Sequence, residues 1–362
     1  MIKIIKDKTR FKSLFNTDTG EYIRGFNINY DPFMADFPHL IDIGIMGHCE
    51  HGVKRLCQKA GIQCYQDGLN VIKPNIRLED YKIIIDECEN KVFEVALGGR
   101  GDPDCHENFE EVLAYTREKE IVPNFTTSGF NMTKEKADIC KKYCGAVAVS
   151  MYSRLIKKDG EFIESQLYTT EAINKLINAG VKTNIHYVLS NSTIEEAIIR
   201  LTKNLFPDNI NAVIFLLHKP TGLGEEIEVL GVTNNKVREF FKLIDENDFS
   251  FKIGFDSCSI AGIINLCDSI NKQSIDTCEG SRYSMYIDSQ MRAVPCSFDG
   301  INQKYGVQLS RDKTIQEAWD SVEFRRFRDK LRIGCPSCDK NEHCMGGCPL
   351  EPSIVLCERI KG

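Results

Sequence analysis

The chain has 362 residues, of which 42% are hydrophobic and 27% charged, which is ordinary for a globular protein and enough for more than one domain. Its net charge of −6 gives no electrostatic reason to expect nucleic acid or an anionic membrane as a partner, so a peptide or a small molecule is the expected ligand. We find neither a run of apolar residues long enough to cross a membrane nor a secretory signal, which predicts a cytoplasmic protein.

From about Leu40 onward, short β-branched apolar runs alternate with amphipathic stretches. The runs predict six strands, at 40–46, 91–97, 121–127, 145–151, 181–188 and 211–217. The stretches between them predict helices near 78–88, 106–118, 133–142, 169–178, 193–205 and 234–246. Ser192 with Glu195 predicts a capping box, and Gly180 stands where a helix C′ glycine belongs. Six βα units in succession favour an α/β fold with a parallel sheet, and their even spacing favours a partial (β/α)6 barrel.

The βα pattern stops near Phe255, and the remaining chain is rich in turn residues and cysteines. Because this region has few long apolar runs, we expect bound metal to stabilise it. The predicted organisation is a poorly defined N-terminal extension at 1–38, a barrel at 39–256 and a small metal-dependent domain at 257–362.

The chain contains 16 cysteines, and in a reducing compartment such cysteines are more often metal ligands than disulfides. Cys49, Cys57 and Cys64 follow the first predicted strand, at the rim where barrel enzymes place their active sites. A closed structural zinc site needs four ligands, whereas a [4Fe–4S] cluster held by three cysteines keeps one iron open for a small molecule. The alternative is that these cysteines are buried or incidental.

This loop resembles the cluster-binding loop of the radical SAM superfamily, in which three cysteines follow the first barrel strand and an aromatic residue stands beside the third. Tyr65 has that place here. Seven and six residues separate the cysteines, whereas the family usually has three and two. The resemblance implies a [4Fe–4S] cluster on the three cysteines and S-adenosylmethionine (SAM) as the molecule bound at its open iron.

The segment LGGRGDPD after the second strand is similar to the glycine-rich segment with which this family receives the amino group of SAM. Gly99, Gly101 and Asp102 match that pattern, with Asp in place of the usual Glu. Glycines allow backbone carbonyls to approach a ligand closely, and a carboxylate neutralises an ammonium group. Alone, Gly-Asp-Pro would indicate only a turn.

Three further polar residues, Ser128, Ser150 and His186, end the next three predicted strands. The resemblance implies that they contact the carboxylate, the ribose or the adenine of SAM. The alternative is that the serines cap helices and the histidine belongs to the core.

Near the C-terminus, CPSCDKNEHCMGGC spaces its cysteines by two, five and three residues. It resembles the SPASM domain, which carries two auxiliary [4Fe–4S] clusters in radical SAM enzymes; Met291 replaces a glycine usual in that family. The resemblance implies an outer cluster on Cys335, Cys338, Cys344 and Cys357. A zinc ribbon with the same clustered thiolates is the alternative.

The same resemblance implies an inner cluster on Cys278, Cys296 and Cys348. Its fourth ligand is Cys258 or Cys267, or the iron is left open; Cys258 is favoured because it follows the last strand-like run. The other cysteines are expected to act as small hydrophobic residues: Cys88, Cys105, Cys140 and Cys144.

Together these resemblances imply an enzyme that reductively cleaves SAM to a 5′-deoxyadenosyl radical and removes hydrogen from a ribosomally made precursor peptide, forming a cross-link that we expect to be a thioether. A low-potential donor of flavodoxin or ferredoxin type would supply the electron. Two alternatives remain. Anaerobic sulfatase maturases share the fold but have Asp where this chain has Ser297, and a non-enzymatic iron–sulfur or zinc protein would not need the SAM-type strand ends.

Overall fold

A computed structural model of the protein describes residues 1–7, 12–25, 33–271, 274–333, 335 and 337–358. The chain begins with an antiparallel sheet of β1 (Ile2–Lys6), β2 (Lys12–Asn16) and β3 (Tyr22–Gly25). Phe15 of this sheet packs on Phe93 and Val122. The first 38 residues therefore contain more defined structure than the sequence indicated, because alternate side chains of β2 are buried.

Nine strands follow in the next part of the chain, where β8 and β9 form a separate hairpin. They are β4 (Leu40–Ile43), β5 (Glu94–Leu97), β6 (Val122–Thr127), β7 (Val147–Ser150), β8 (Leu155–Lys158), β9 (Glu161–Glu164), β10 (Thr183–Leu189), β11 (Ala212–Leu217) and β12 (Lys252–Phe255). The other seven are parallel and lie side by side in sequence order. All six predicted strands are present, and β12 adds a seventh.

Helices connect the parallel strands, as the sequence predicts. They are α1 (Glu50–Val53), α2 (Leu56–Lys59), α3 (Leu78–Cys88), α4 (Phe109–Glu118), α5 (Lys134–Tyr143), α6 (Tyr168–Asn178), α7 (Ile194–Thr202) and α8 (Asn235–Glu246). Gly180 follows α6 with φ of +78°, which confirms its predicted place. The predicted capping box is wrong: α7 begins after Thr193 without a side-chain cap, and the Ser192 amide donates to Glu228 instead.

The C-terminal region joins the same sheet. Its elements are α9 (Ile260–Leu266), β13 (Ser284–Ile287), β14 (Arg292–Val294), β15 (Val307–Gln308), α10 (Ile315–Trp319), α11 (Val322–Ile333) and α12 (Asn341–Cys344). Strand β13 pairs in parallel with β4, and β14 and β15 extend the sheet antiparallel to ten strands. Trp319 and Phe324 are fully buried in one core with the barrel, so this region has more apolar core than its sequence suggested.

The parallel sheet is curved. Six steps between neighbouring strands separate β4 from β12, which in a flat sheet would be roughly 29 Å. Side chains at or just after both strands nevertheless line one cavity, including Asp42 and Asp256. The inner face of the curved sheet therefore positions the candidate site. In the part of the chain that the structure describes, no helix combines the length and the apolar character needed to cross a bilayer.

Candidate active site and cluster sites

A cavity of about 400 Å³ lies at the carboxyl ends of the parallel strands. Every parallel strand contributes to it, either from its last residues or from the residue that follows: Asp42, Ala96, Thr126, Ser150, His186, Leu216 and Asp256. In β10 the alternation is plain, because Ile185 and Tyr187 are buried against the helices while His186 faces the cavity. This is the position at which (β/α) folds carry out chemistry.

The three rim cysteines come together at this cavity. Cys49, Cys57 and Cys64 all line it, although seven and six residues separate them. The one-turn helices α1 and α2 take up the extra residues. A Cβ added to Gly68 would lie 3.1 Å from the Cys49 Cβ and 3.4 Å from the Cys64 Sγ, so the glycine lets both cysteines close around it.

Backbone amides already point at two of these sulfurs. Gly52 donates its N–H to the Cys49 Sγ at 3.1 Å, and Gly68 donates to the Cys64 Sγ at 3.4 Å. Burial raises the pKa of Cys49 to about 11 and the pKa of Cys57 to about 12, so the bare thiols stay protonated at neutral pH. A bound metal reverses this, because metal ligation deprotonates a thiol. Three soft donors that face one cavity, with amides supporting the sulfurs, fit a three-cysteine iron–sulfur cluster.

The glycine-rich segment lies against the rim loop and the C-terminal region. Gly99 and Gly101 have φ of +95° and +69°, conformations that favour glycine. A Cβ at Gly99 would lie 2.4 Å from the Tyr286 Oη, and one at Gly101 would lie 2.4 Å from the His48 carbonyl oxygen. Both positions therefore require glycine for conformation and for space.

Asp102 is at the centre of a polar cluster that the sequence revealed only in part. Its carboxylate accepts from the Ser128 amide at 3.0 Å and the Ser128 hydroxyl at 2.5 Å, and the His51 Nε2 lies 3.1 Å away. Burial alone would lower the pKa of His51, but hydrogen bonds to Asp102 and Cys105 outweigh burial and raise it to about 10. Ser128 is thus a partner of Asp102 and does not cap α5, whose N-cap is Thr133.

Ser150 and His186 both line the cavity. Burial raises the pKa of Tyr152, another residue of the cavity wall, and the nearby Ser150 side chain partly offsets that rise. Burial lowers the pKa of His186 to about 4, so its imidazole is neutral at physiological pH. His186 therefore presents a neutral donor and acceptor to the cavity rather than packing in the core.

Tyr65 joins the rim loop to the C-terminal region. Its ring centre lies 4.6 Å from that of Phe298. The neighbouring Gln66 donates its side-chain amide to the Ser297 carbonyl at 2.8 Å. Burial raises the pKa of Tyr65 to about 12. Tyr65 also lines the cavity, so its side chain contacts both the cavity and the C-terminal region.

Sequence reasoning missed two charged features of the cavity wall. Asp42 lies on the inner face of β4, and burial raises the pKa of its carboxyl to about 7. Lys219 follows β11 and is paired with Asp256. An acid between apolar residues in LIDIGI was a usable signal, because alternation places Asp42 opposite the buried Ile41 and Ile43.

The four cysteines assigned to the outer cluster line a second cavity, of about 60 Å³: Cys335, Cys338, Cys344 and Cys357. Asn341 begins α12 in this wall and accepts from the Cys335 amide at 3.1 Å. Burial raises the pKa of Cys344 to about 11. Four thiols around one small cavity fit a four-cysteine cluster.

The cysteines assigned to the inner cluster also come together. Cys348 and burial raise the pKa of the neighbouring Cys258, and burial, Cys296 and Cys258 together raise the pKa of Cys278. The nearby backbone amides of Gly280 and Phe298 partly offset the effect of burial on Cys278 and Cys296, and the Glu351 amide donates to the Cys348 Sγ at 3.4 Å. Burial raises the pKa of Cys296 to about 12. This donor set fits an iron–sulfur cluster.

The alternative fourth ligand, Cys267, lies elsewhere. Its thiol donates to the Phe241 carbonyl at 3.8 Å, and its charged neighbours are Asp245 and Asp268. The geometry therefore favours Cys258 as the fourth ligand of the inner set. Over the described residues, no three His, Cys, Asp or Glu side chains are arranged to hold a single metal ion, whereas the cysteines of a cubane bind separate irons.

All 16 cysteines lie in the described part of the chain, and no two of them form a disulfide. Of the four expected to be plain hydrophobic residues, Cys88 and Cys140 are buried in the core. Cys105 differs, because its sulfur accepts from the Asn131 side chain at 3.1 Å and lies 3.9 Å from the His51 Nε2. Cys105 thus belongs to the polar cluster around Asp102.

Comparison with known proteins agrees with this geometry. Residues 278–348 match the SPASM family, described as an iron–sulfur cluster-binding domain. Streptococcus suis SuiB bound to S-adenosylmethionine superposes with a TM-score of 0.72 at 16% identity, over 99% of this chain and 98% of that chain. SuiB bound to its precursor peptide SuiA gives 0.70 at 15% identity, over 100% of this chain and 98% of that chain.

A third solved structure, native anSMEcpe with bound AdoMet, gives a TM-score of 0.59 at 16% identity, over 85% of this chain and 88% of that chain. No curated protein matches the chain by sequence. The protein therefore has the α/β fold of radical SAM enzymes with a C-terminal SPASM domain.

Proposed function

We propose that this protein is a radical SAM maturase that modifies a ribosomally made precursor peptide. The observation that carries the proposal is the convergence of Cys49, Cys57 and Cys64 on a cavity that Gly99, Gly101 and Asp102 of the glycine-rich segment also line. A three-cysteine site beside an anion and glycine turns is suited to a ligand with an amino group and an affinity for iron. The barrel at 39–256, the SPASM region at 257–362 and the extension at 1–38 remain the proposed domains.

The proposed cofactors are SAM and three [4Fe–4S] clusters, one on the rim cysteines and two on the SPASM cysteines. Held by Cys49, Cys57 and Cys64, the rim cluster would supply the low-potential electron for the reductive cleavage of SAM. The proposed source of that electron is a flavodoxin or ferredoxin type of protein. The reducing cytoplasm is the proposed compartment, because free thiolates and their clusters persist there.

The residues of the cavity have separable tasks in this proposal. Asp102 would neutralise the amino group of SAM. Ser128 and His51 hold the Asp102 carboxylate in place. Ser150 and neutral His186 offer hydrogen bonds to the ribose and the adenine. The enclosing strands keep water away from the radical.

We infer a peptide substrate from two structurally similar proteins. SuiB has been solved with its precursor peptide, and anSMEcpe with the Cp18Cys peptide. The expected product is an intrapeptide cross-link, with a thioether as the favoured bond. Oxidation of a single Cys or Ser, as in sulfatase maturases, is less favoured because Ser297 follows Cys296 where those enzymes have Asp.

The test uses anaerobically reconstituted protein with SAM and a strong one-electron reductant. We expect 5′-deoxyadenosine and methionine in equal amounts. Short open reading frames beside the gene are screened for a cysteine-containing peptide, and addition of that peptide should give a product lighter by two hydrogens. Tandem mass spectrometry should show suppressed fragmentation between two joined residues; a change confined to one residue would indicate the oxidation instead. Formation of no more 5′-deoxyadenosine than in buffer would contradict the proposal.

A further inference from the structure

Lys219 is a buried cation that the proposed reaction does not use. It follows β11, and only 5% of the residue is exposed. Its ammonium donates to Asp256 and lies 4.5 Å from the centre of the Phe298 ring. A buried ammonium is stable only with a charge partner and hydrogen bonds, and both are present. The charge is therefore held in one place.

That place is beside the inner set of SPASM cysteines. Asp256 comes two residues before Cys258, and Phe298 comes two residues after Cys296. Lys219 interacts electrostatically with the thiols of Cys258, Cys296 and Cys348, which are three of the four proposed ligands. On its other side Lys219 lines the cavity. The ammonium thus lies between the cavity and the proposed inner cluster.

The fourth proposed ligand, Cys278, has a different cation nearby, Arg282, which is held by other groups. Arg282 donates to the Cys278 carbonyl at 3.3 Å, but the same guanidinium also donates to Asp276 and to the Phe33 carbonyl. The Arg282 guanidinium is therefore bonded to two backbone carbonyls and one carboxylate. Lys219 has one ionic partner among the described residues, Asp256, whose other oxygen accepts from the Ser259 hydroxyl at 2.6 Å.

An iron–sulfur cluster becomes more negative by one charge when it is reduced, so a fixed cation stabilises the reduced form more than the oxidised form. The effect is strong in a dry site, because the dielectric there is low. We propose that Lys219 raises the reduction potential of the inner SPASM cluster, with Asp256 holding the ammonium in place and moderating its charge. Lys219 would thus act through the inner cluster, by making that cluster a better electron acceptor. This inference rests on the proposed function.

The experiment is an anaerobic potentiometric titration of the reconstituted protein, followed by the EPR signals of the reduced clusters. Lys219→Met removes the charge and keeps the length of the side chain, and Lys219→Arg keeps the charge. Asp256→Asn keeps the shape of the partner and removes its charge, so the cluster thiolates remain as the charge partners of the ammonium. The outer cluster is an internal reference, because its lining residues do not include Lys219.

At the wild-type midpoint, we expect Lys219→Met to lower the ratio of reduced to oxidised inner cluster about tenfold, which corresponds to 59 mV for one electron. Asp256→Asn should shift the ratio in the opposite direction, and Lys219→Arg should stay near wild type. A structural defect would not give shifts of opposite sign. Equal midpoints in all variants, or shifts of the same sign for Lys219→Met and Asp256→Asn, would overturn the inference and leave the maturase proposal intact. Absence of an inner-cluster signal from wild type would overturn both.

Discussion

The rim cysteines and the SPASM cysteines reach similar arrangements by different routes. In the SPASM region three outer ligands lie within ten residues, Cys335 to Cys344, so local spacing already brings the sulfurs together. At the rim, α1 lies between Cys49 and Cys57, and Cys57 itself is part of α2. The convergence of the three cysteines depends on β4, Gly68 and the loop after β11, where Leu223 donates to the Cys64 carbonyl at 2.8 Å. Ligands that are close in sequence can be predicted from their spacing, whereas ligands that are far apart can be assigned only once the tertiary structure is known.

The largest expected effect is on SAM cleavage, which should depend on the rim cysteines and not on the outer SPASM cysteines. Changing Cys49, Cys57 and Cys64 to Ala should reduce 5′-deoxyadenosine formation to the background rate, because no open iron remains to bind SAM. The matched control replaces the outer cysteines Cys335 and Cys338. That control should lose the outer cluster and still cleave SAM. Chromatographic assay of 5′-deoxyadenosine checks both variants, and normal cleavage by the rim variant would mean that the rim loop has been wrongly assigned.

The next effect concerns the fourth ligand of the inner cluster. Cys258→Ala should alter the inner-cluster EPR spectrum in the absence of peptide and make its iron easier to remove by a chelator. Cys267→Ala is the control, since that thiol donates to a helix carbonyl away from the set. If Cys258→Ala had an unchanged spectrum and iron content, the inner cluster would have to be naturally open at that position.

A smaller effect is expected in stability. The Asp42 carboxyl has a pKa of about 7 in the folded protein, well above the value of about 3.9 for an unfolded chain, because it is buried. The folded state therefore binds the proton more tightly, and this group contributes less stability as pH rises from about 4 to 7. Asp42→Asn should raise the free energy of unfolding at pH 8 by up to ~4 kcal/mol, and the gain should shrink as pH falls toward 4.

The control for that series is Asp138→Asn, an exposed carboxylate on α5. It should change stability by less than about 0.5 kcal/mol at every pH. Thermal unfolding of reconstituted protein from pH 5 to 8 measures both variants. A gain for Asp42→Asn that did not depend on pH would show that its carboxyl does not titrate in this range.

The smallest effect tests one departure from the SPASM pattern. Met291 replaces the usual glycine and has φ of +62°, in the tight turn where its amide donates to the Asp288 carbonyl at 3.0 Å. A side chain in that conformation destabilises the fold by ~1 kcal/mol. Met291→Ala and Met291→Gly both remove the Met side chain, so the glycine variant should be more stable than the alanine variant by ~1 kcal/mol. Equal melting temperatures would show that the turn is not strained.

Much of the fold was readable from the sequence because helix and strand periods are local. The six strands and the helices between them follow from apolar periodicity, and β12 was missed as a barrel strand because its run, Lys252–Phe255, is short. The N-terminal sheet was missed because its exposed isoleucines, Ile2 and Ile4, alternate with lysines and give no clear apolar face.

The sequence predicted the residues of the candidate site but not the contacts between them. Nothing local shows that β13 would pair with β4 and bring Tyr286 over Gly99. The same is true of the stacking between Tyr65 and Phe298, whose partners are more than 200 residues apart in the sequence. Contacts of this kind depend on where the SPASM region returns to the barrel, which is a property of the tertiary fold.

The central claim, that three separate cysteine sets each hold a [4Fe–4S] cluster and that one of them binds SAM, has a direct test. Iron and sulfide are measured per chain in anaerobically reconstituted protein, and Mössbauer and EPR spectra are recorded before and after SAM is added. We predict about twelve irons per chain, from four irons in each of three cubanes, and a spectral change confined to one cluster. Stoichiometric zinc with little iron, or spectra that SAM leaves unchanged, would contradict the claim.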